Sequence, residues 1–171
     1  MSKPTARRVR DRWRAKDWYS VCAPAYFGEQ NLARVPCADS TEVVGRVVEN
    51  TLYDITSDFS HQSTKLYFQV TGVKDQRADT VLKGHEYSTD YLRSLVRRGS
   101  SRVDLITDMT TKDSYSTRVS IVAFANGRLS ASQQHGLRAA MQRVLEGKAS
   151  TLTYDQFAQE MVLGKVGSDI Y

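Results

Sequence analysis

A chain of 171 residues with 40% hydrophobic content can bury one core, and it reads as a single domain over residues 17–171 behind a short tail, residues 1–16. The formal charge of +5 is unevenly spread: Lys3, Arg7, Arg8, Arg10, Arg12, Arg14 and Lys16 face only Asp11 in the tail, a net of +6, which leaves −1 for the remainder. No secretory apolar core and no run near the roughly 20 apolar residues of a bilayer span occurs, which argues against a membrane protein and for a polyanionic partner.

The tail, MSKPTARRVRDRWRAK, holds almost no aliphatic residues, so it cannot bury enough surface to offset its chain entropy; it is expected to be disordered alone and to become ordered on nucleic acid. Trp13 and Trp18 stand among its charges as rings able to stack on bases. The other readings are a mobile solubilising extension, an import signal and a membrane-surface anchor, and the single serine and missing apolar stripe speak against the import signal. Cys22 and Cys37 lie fifteen positions apart without a second pair, which predicts two packed, reduced thiols and no zinc site.

Strands come first. Val43 to Ile55 reads as one, less regular than Lys65 to Val70, where Leu66, Phe68 and Val70 alternate with polar neighbours as in a strand with one buried face. The segment GHEYSTDYLRSLVRRGSSRVD, Gly84 to Asp104, predicts a helix capped by Ser88, Thr89 or Asp90 and stopped at Gly99. Tyr91, Leu92, Leu95 and Val96 share one face, expected to pack on the core, and Arg93 and Arg97 the other, with Arg98 and Arg102 flanking. These arginines either meet a polyanion or merely solvate an exposed face. His85 and Glu86 open an HExxH-like string, but Thr89 stands where the second histidine is needed, so no metalloprotease turn forms.

Val103, Leu105 and Met109, then Val119, Ile121 and Ala123, flank Lys112 and Asp113 as in an antiparallel hairpin. Two helices follow. Leu137, Ala140, Met141, Val144 and Leu145 form an apolar stripe that ends at Gly147, with Arg138 and Arg143 off it. Thr153 and Gln156 form a capping-box pattern ahead of Phe157, Met161 and Val162. No phosphate loop, dinucleotide fingerprint or nucleophile elbow occurs, and His61 and His135 lack partners at ligand spacing, so no enzyme and no cofactor are expected. Short strands without intervening helices argue for an α+β chain whose body is an antiparallel β-barrel-like fold or a curved sheet, with peripheral helices.

Beyond pattern, the Gly84–Asp104 segment closely resembles the archaeal and eukaryotic small-subunit ribosomal proteins of the S-one-e family, also called S-three-a-e. KDWYSVCAPAYF (Lys16 to Phe27), GRVVENTLYDITSD (Gly45 to Asp58), KLYFQV (Lys65 to Val70), TTKDSY (Thr110 to Tyr115), SASQQHGLRAAM (Ser130 to Met141) and the terminal GKVGSDIY follow in the family order, closer to archaeal members. Where family members usually carry glycine after the TKD element, this chain has Ser114, so a turn requiring positive φ there would be strained. Family members also continue past the element matching Gly164 to Tyr171, which implies a short member or a longer natural chain, and a sheet edge left for a neighbour to cover.

The resemblance implies a cytoplasmic structural constituent of the small ribosomal subunit acting in translation, on the platform near the messenger exit. Its partners would be ribosomal RNA and neighbouring platform proteins, with messenger RNA nearby and no homo-oligomer. The RNA contacts expected are Lys3, Arg7, Arg8, Arg10, Arg12, Trp13, Arg14, Lys16, Trp18, Arg93, Arg97, Arg98, Arg102, Arg138 and Arg143. The alternatives from residues alone are a free single-stranded RNA-binding translation regulator and an adaptor whose basic tail docks on an acidic protein.

Overall fold

In the computed structural model, which describes Trp13 and residues 16–170, the first strand is β1 (Asp17–Cys22), where Tyr19 and Val21 turn inward and Trp18 outward. It pairs antiparallel with β2 (Asn31–Cys37), Tyr19 opposite Val35 and Trp18 opposite Pro36. Pro36, which cannot donate to a ladder, is tolerated because β2 is a sheet edge. The chain then forms β3 (Val47–Thr51), helix α1 (Leu52–Thr56), and the long strands β4 (Thr64–Lys74) and β5 (Arg77–Tyr87).

Their order is β2-β1-β5-β4-β3, with β1 and β5 parallel. This sheet is open. The expected β-barrel-like closure is not what the described residues form: β2 and β3 remain as edges, and the last two strands pair only with each other in a second sheet. The α+β class stands. The strand expected over Val43 to Ile55 is also shorter, because Thr51 and Asp54 make a reciprocal capping box that starts α1: the Thr51 N–H donates to Asp54 Oδ2 at 3.0 Å and Thr51 Oγ1 accepts from the Asp54 N–H at 3.4 Å.

The chain divides into two compact units. One comprises the described residues up to Ser57 with Leu66–Gly84, the other Asp58–Lys65 with the described residues from His85 on. In the first, Tyr19, Val21, Cys37, Val43, Val70 and Ala78 form a buried cluster. The alternation expected over β4 is realised, with Leu66, Phe68 and Val70 buried and Phe27 meeting the Phe68 ring edge-on at 5.8 Å. Cys22 and Cys37 are both buried and free, consistent with packed thiols.

The second unit contains α2 (Thr89–Leu95), β6 (Ser101–Thr110), β7 (Ser116–Ala125), α3 (Ala131–Thr151), α4 (Tyr154–Val162) and α5 (Lys165–Ile170). The expected hairpin forms, paired from Ser101 and Ala125 to Thr110 and Ser116. In its turn Ser114 adopts φ 65°, the left-handed conformation that favours glycine, and its N–H donates to the Thr111 carbonyl at 2.9 Å. The hairpin's inner face supplies Met109 and Val119 to a core completed by Leu145 and Ala149 of α3, Phe157 of α4 and Val166 of α5.

Helix α3 opens on a capping box between Ser130 and Gln133 and runs through Gly147 to Thr151, four residues beyond the expected stop. Burial of Ala149 holds the last turn in place and overrides the weak propensity of Gly147. Of its expected stripe, Met141 and Leu145 are buried, Leu137 and Val144 half-buried, and Ala140 exposed. Thr153 caps α4 by position, without the side-chain hydrogen bond expected of it. Lys148 joins the three helices, donating to Glu160 at 2.7 Å and pairing with Asp169, two carboxylates that hold its ammonium above the usual range. Among the described residues no helix is long and apolar enough to cross a membrane.

Candidate nucleic-acid interface

Of the expected tail contacts, Lys3, Arg7, Arg8, Arg10, Arg12 and Arg14 lie outside the described residues. Trp13 is exposed with the Lys16 ammonium 4.2 Å from its ring centroid, and Trp18 is exposed at the start of β1.

Helix α2 is built as its sequence directs at the start and differently at the end. The Ser88 hydroxyl caps it by accepting the Tyr91 N–H at 3.2 Å. The helix stops at Leu95, and Val96 is already extended. A tight turn follows, in which Ser100 Oγ accepts the Arg97 N–H at 3.2 Å and donates to the Arg97 carbonyl at 2.6 Å while Gly99 supplies φ +87°. Gly99 therefore closes this turn, not the helix. Arg97 and Arg98 project from the turn, and only Arg93 stands on the helix, 3.9 Å from Asp90.

The apolar side of α2 is a correction. Tyr91, Leu95 and Val96 are exposed and Leu92 half-buried, where periodicity predicted a face on the core. The reason is length: seven residues make two turns, one inward position serves Leu92, and Val96 falls past the helix end.

The cations fall into two groups. Arg93, Arg97 and Arg98 are exposed on one continuous segment, and Arg97 and Arg98 have no carboxylate partner among the described residues. Arg102 and Arg138 converge on Asp104, the first on its carboxylate at 2.8 Å and the second, through Nε, on its carbonyl at 3.1 Å. Arg143 is exposed about 140° round α3 from Arg138 and belongs to neither group. Arg118 and Arg77 are engaged internally: Arg118 grips Asp108 through two bonds of 2.7 and 2.9 Å, which lowers the carboxyl, and Arg77 reaches Glu29 at 2.8 Å, which raises the guanidinium.

Sequence reading missed two residues here. Phe59, in a short turn capped by Asp58 through the Ser60 N–H at 3.0 Å, is three-quarters exposed. Tyr87, at the end of β5, lies 5.8 Å from the Tyr91 ring at 31°, and partial burial, then the neighbouring Tyr91, raise its hydroxyl above the usual range. The Ser88 N–H donates to the Ser63 carbonyl at 2.7 Å, which brings the Phe59 turn beside the start of α2. The one sequence signal was a lone phenylalanine in the polar run TSDFSHQST. His85, also in this unit, is half-buried and its imidazole is pushed below the usual range by desolvation. Among the described residues no group of His, Cys, Asp and Glu is arranged to hold a metal.

Exposed guanidiniums and exposed rings thus occur together on one chain segment, Arg93, Arg97 and Arg98 with Tyr87 and Tyr91. The chain belongs to the ribosomal S3Ae family, which matches residues 4–171, and it is of the archaeal type. It is similar to the small ribosomal subunit protein eS1 of Sulfurisphaera tokodaii, 44% identical over 171 residues, 100% of this chain and 88% of the relative. The eS1 proteins of Saccharolobus islandicus strain L.S.2.15 and Desulfurococcus amylolyticus are 43% and 44% identical, each over 95% of this chain and covering 78% and 76% of their own lengths.

Proposed function

We propose that this protein is a structural constituent of the small ribosomal subunit, holding ribosomal RNA and catalysing no reaction. The observation that carries it is the cationic segment Arg93 to Arg98 on a chain of this family: Arg97 and Arg98 are exposed with no carboxylate partner among the described residues, which leaves them available to phosphates. The residue-level proposal keeps the basic tail as an RNA-ordered arm, then Arg93, Arg97 and Arg98, with Trp13 and Trp18 as stacking rings. Arg102 and Arg138 are given a smaller part because Asp104 already occupies them. Placement on the platform near the messenger exit, beside neighbouring platform proteins in the cytoplasmic ribosome, follows the family resemblance.

Sedimentation tests the reading. The protein should travel with small subunits and stay with them through moderate salt; recovery at the top of the gradient would contradict it and favour a free RNA binder. The tail has its own test. If about five of its cations meet phosphates, deleting residues 1–16 should flatten the slope of log affinity against log salt by roughly four units, and an unchanged slope in a folded protein would leave the tail without an electrostatic role.

A further inference from the structure

Aromatic side chains are costly to leave in water, and three of them gather at one place in the second unit. Phe59 and Tyr91 face an open groove of about 460 Å3, a volume in the range of small-ligand sites, whose remaining lining is Ser60, Gln62, Ser63 and Ser88. Tyr87 stands behind Tyr91 at 5.8 Å. The groove thus offers planar rings at its sides and hydroxyl and amide groups within, with almost no aliphatic surface. The cations of Arg93, Arg97 and Arg98 follow along the same chain segment, and α2, seven residues long, spans only about 10 Å.

We infer that Phe59 and Tyr91 form a stacking site for an unpaired base of ribosomal RNA, whose adjoining phosphates run to Arg93, Arg97 and Arg98. The inference rests on the RNA-binding reading above and deepens it. An unstacked base presents a π-face to the rings and donor and acceptor edges to the serine and glutamine groups, which a duplex cannot do because its bases are already stacked. Charge argues for a polyanion: Arg93, Arg97 and Arg98 follow within seven residues of Tyr91 along the chain, and Arg97 and Arg98 have no carboxylate partner among the described residues, which suits a phosphate backbone. The serine lining serves base edges better than it serves an apolar side chain.

The experiment measures binding of the whole chain to a short single-stranded oligoadenylate and to an RNA duplex of equal length, and incorporation into small subunits free of messenger. Phe59→Ala and Tyr91→Ala should each weaken single-strand binding by about fivefold to a hundredfold, leave duplex binding within about twofold, and lower incorporation. Phe59→Trp should keep single-strand binding and incorporation near the wild-type level. Because Phe59 is three-quarters exposed, an unchanged melting temperature is expected and checks that the fold is intact. Unchanged single-strand affinity in both alanine variants overturns the site. If Arg93→Glu with Arg97→Glu then still abolishes binding to both RNAs, the broader reading survives that failure; a wild-type chain that binds neither RNA at low salt sinks both. Lost incorporation with intact oligonucleotide binding would make the groove a protein dock, and weakened oligonucleotide binding with normal incorporation would assign it to a passing strand. Either contradicts the proposal.

Discussion

Helices α2 and α3 look alike as sequences, each with an apolar face opposite arginines, yet the molecule uses them in opposite ways. In α3, Met141, Leu145 and Ala149 are buried, Leu145 and Ala149 against the β6–β7 hairpin, α4 and α5, while Arg143 is exposed. In α2 the apolar residues Tyr91 and Leu95 are exposed together with the cations. Periodicity reports which residues share a face. What covers that face depends on length and on what returns to it: twenty-one residues of α3 receive two further helices, while the seven of α2 turn only Leu92 inward.

The comparison can be broken by truncating one leucine on each helix. Leu145→Ala should cost about 2–5 kcal/mol in thermal or denaturant unfolding, since its side chain is fully buried in the core of the second unit. Leu95→Ala, on the exposed side of α2, should cost only about 0.5 kcal/mol in the same measurement. Equal losses would mean that α2 is core after all.

A smaller effect sharpens the comparison at the hairpin that α3 covers. Ser114→Gly should stabilise the protein by about 0.5–1 kcal/mol, because the turn holds φ 65° and only glycine adopts that conformation without a Cβ penalty. A loss of stability would show that the serine side chain contributes more than the strain costs.

The pH dependence isolates His85. Its folded-state value lies below the unfolded one, so the unfolded chain binds the extra proton, and the stability that neutral His85 contributes is fully present above about 6.5 and declines as pH falls through that value. Between pH 7.5 and 5.5 the wild type should lose melting temperature and His85→Gln should lose less. Parallel losses would place the effect on another group.

Much of the fold was legible because it is local. The β4 alternation of Leu66, Phe68 and Val70 and the hairpin around Lys112 and Asp113 needed only neighbours in sequence, and the family blocks ran in register from one end to the other. Helix α1 was not legible, because its five residues hide in a run that reads as strand, and the deciding Thr51–Asp54 exchange takes two side chains. The open sheet was missed for a different reason: strand count and spacing do not state which strands pair, and β6 and β7 pair only with each other. At the candidate site, Arg93, Arg97 and Arg98 were found from charge. Phe59 was not, because it shares a groove with Tyr91, thirty-two positions further along the chain, a proximity that local sequence does not state.

The most direct test of the account reverses charge on the segment from Arg93 to Arg98 without touching a core. Arg93→Glu with Arg97→Glu should leave the unfolding midpoint of the free protein almost unchanged, since both guanidiniums are exposed, while ribosomal RNA affinity and incorporation into small subunits fall sharply. A double variant that unfolds as readily as Leu145→Ala, or one that folds and incorporates like the wild type, would contradict the claim that this segment faces RNA.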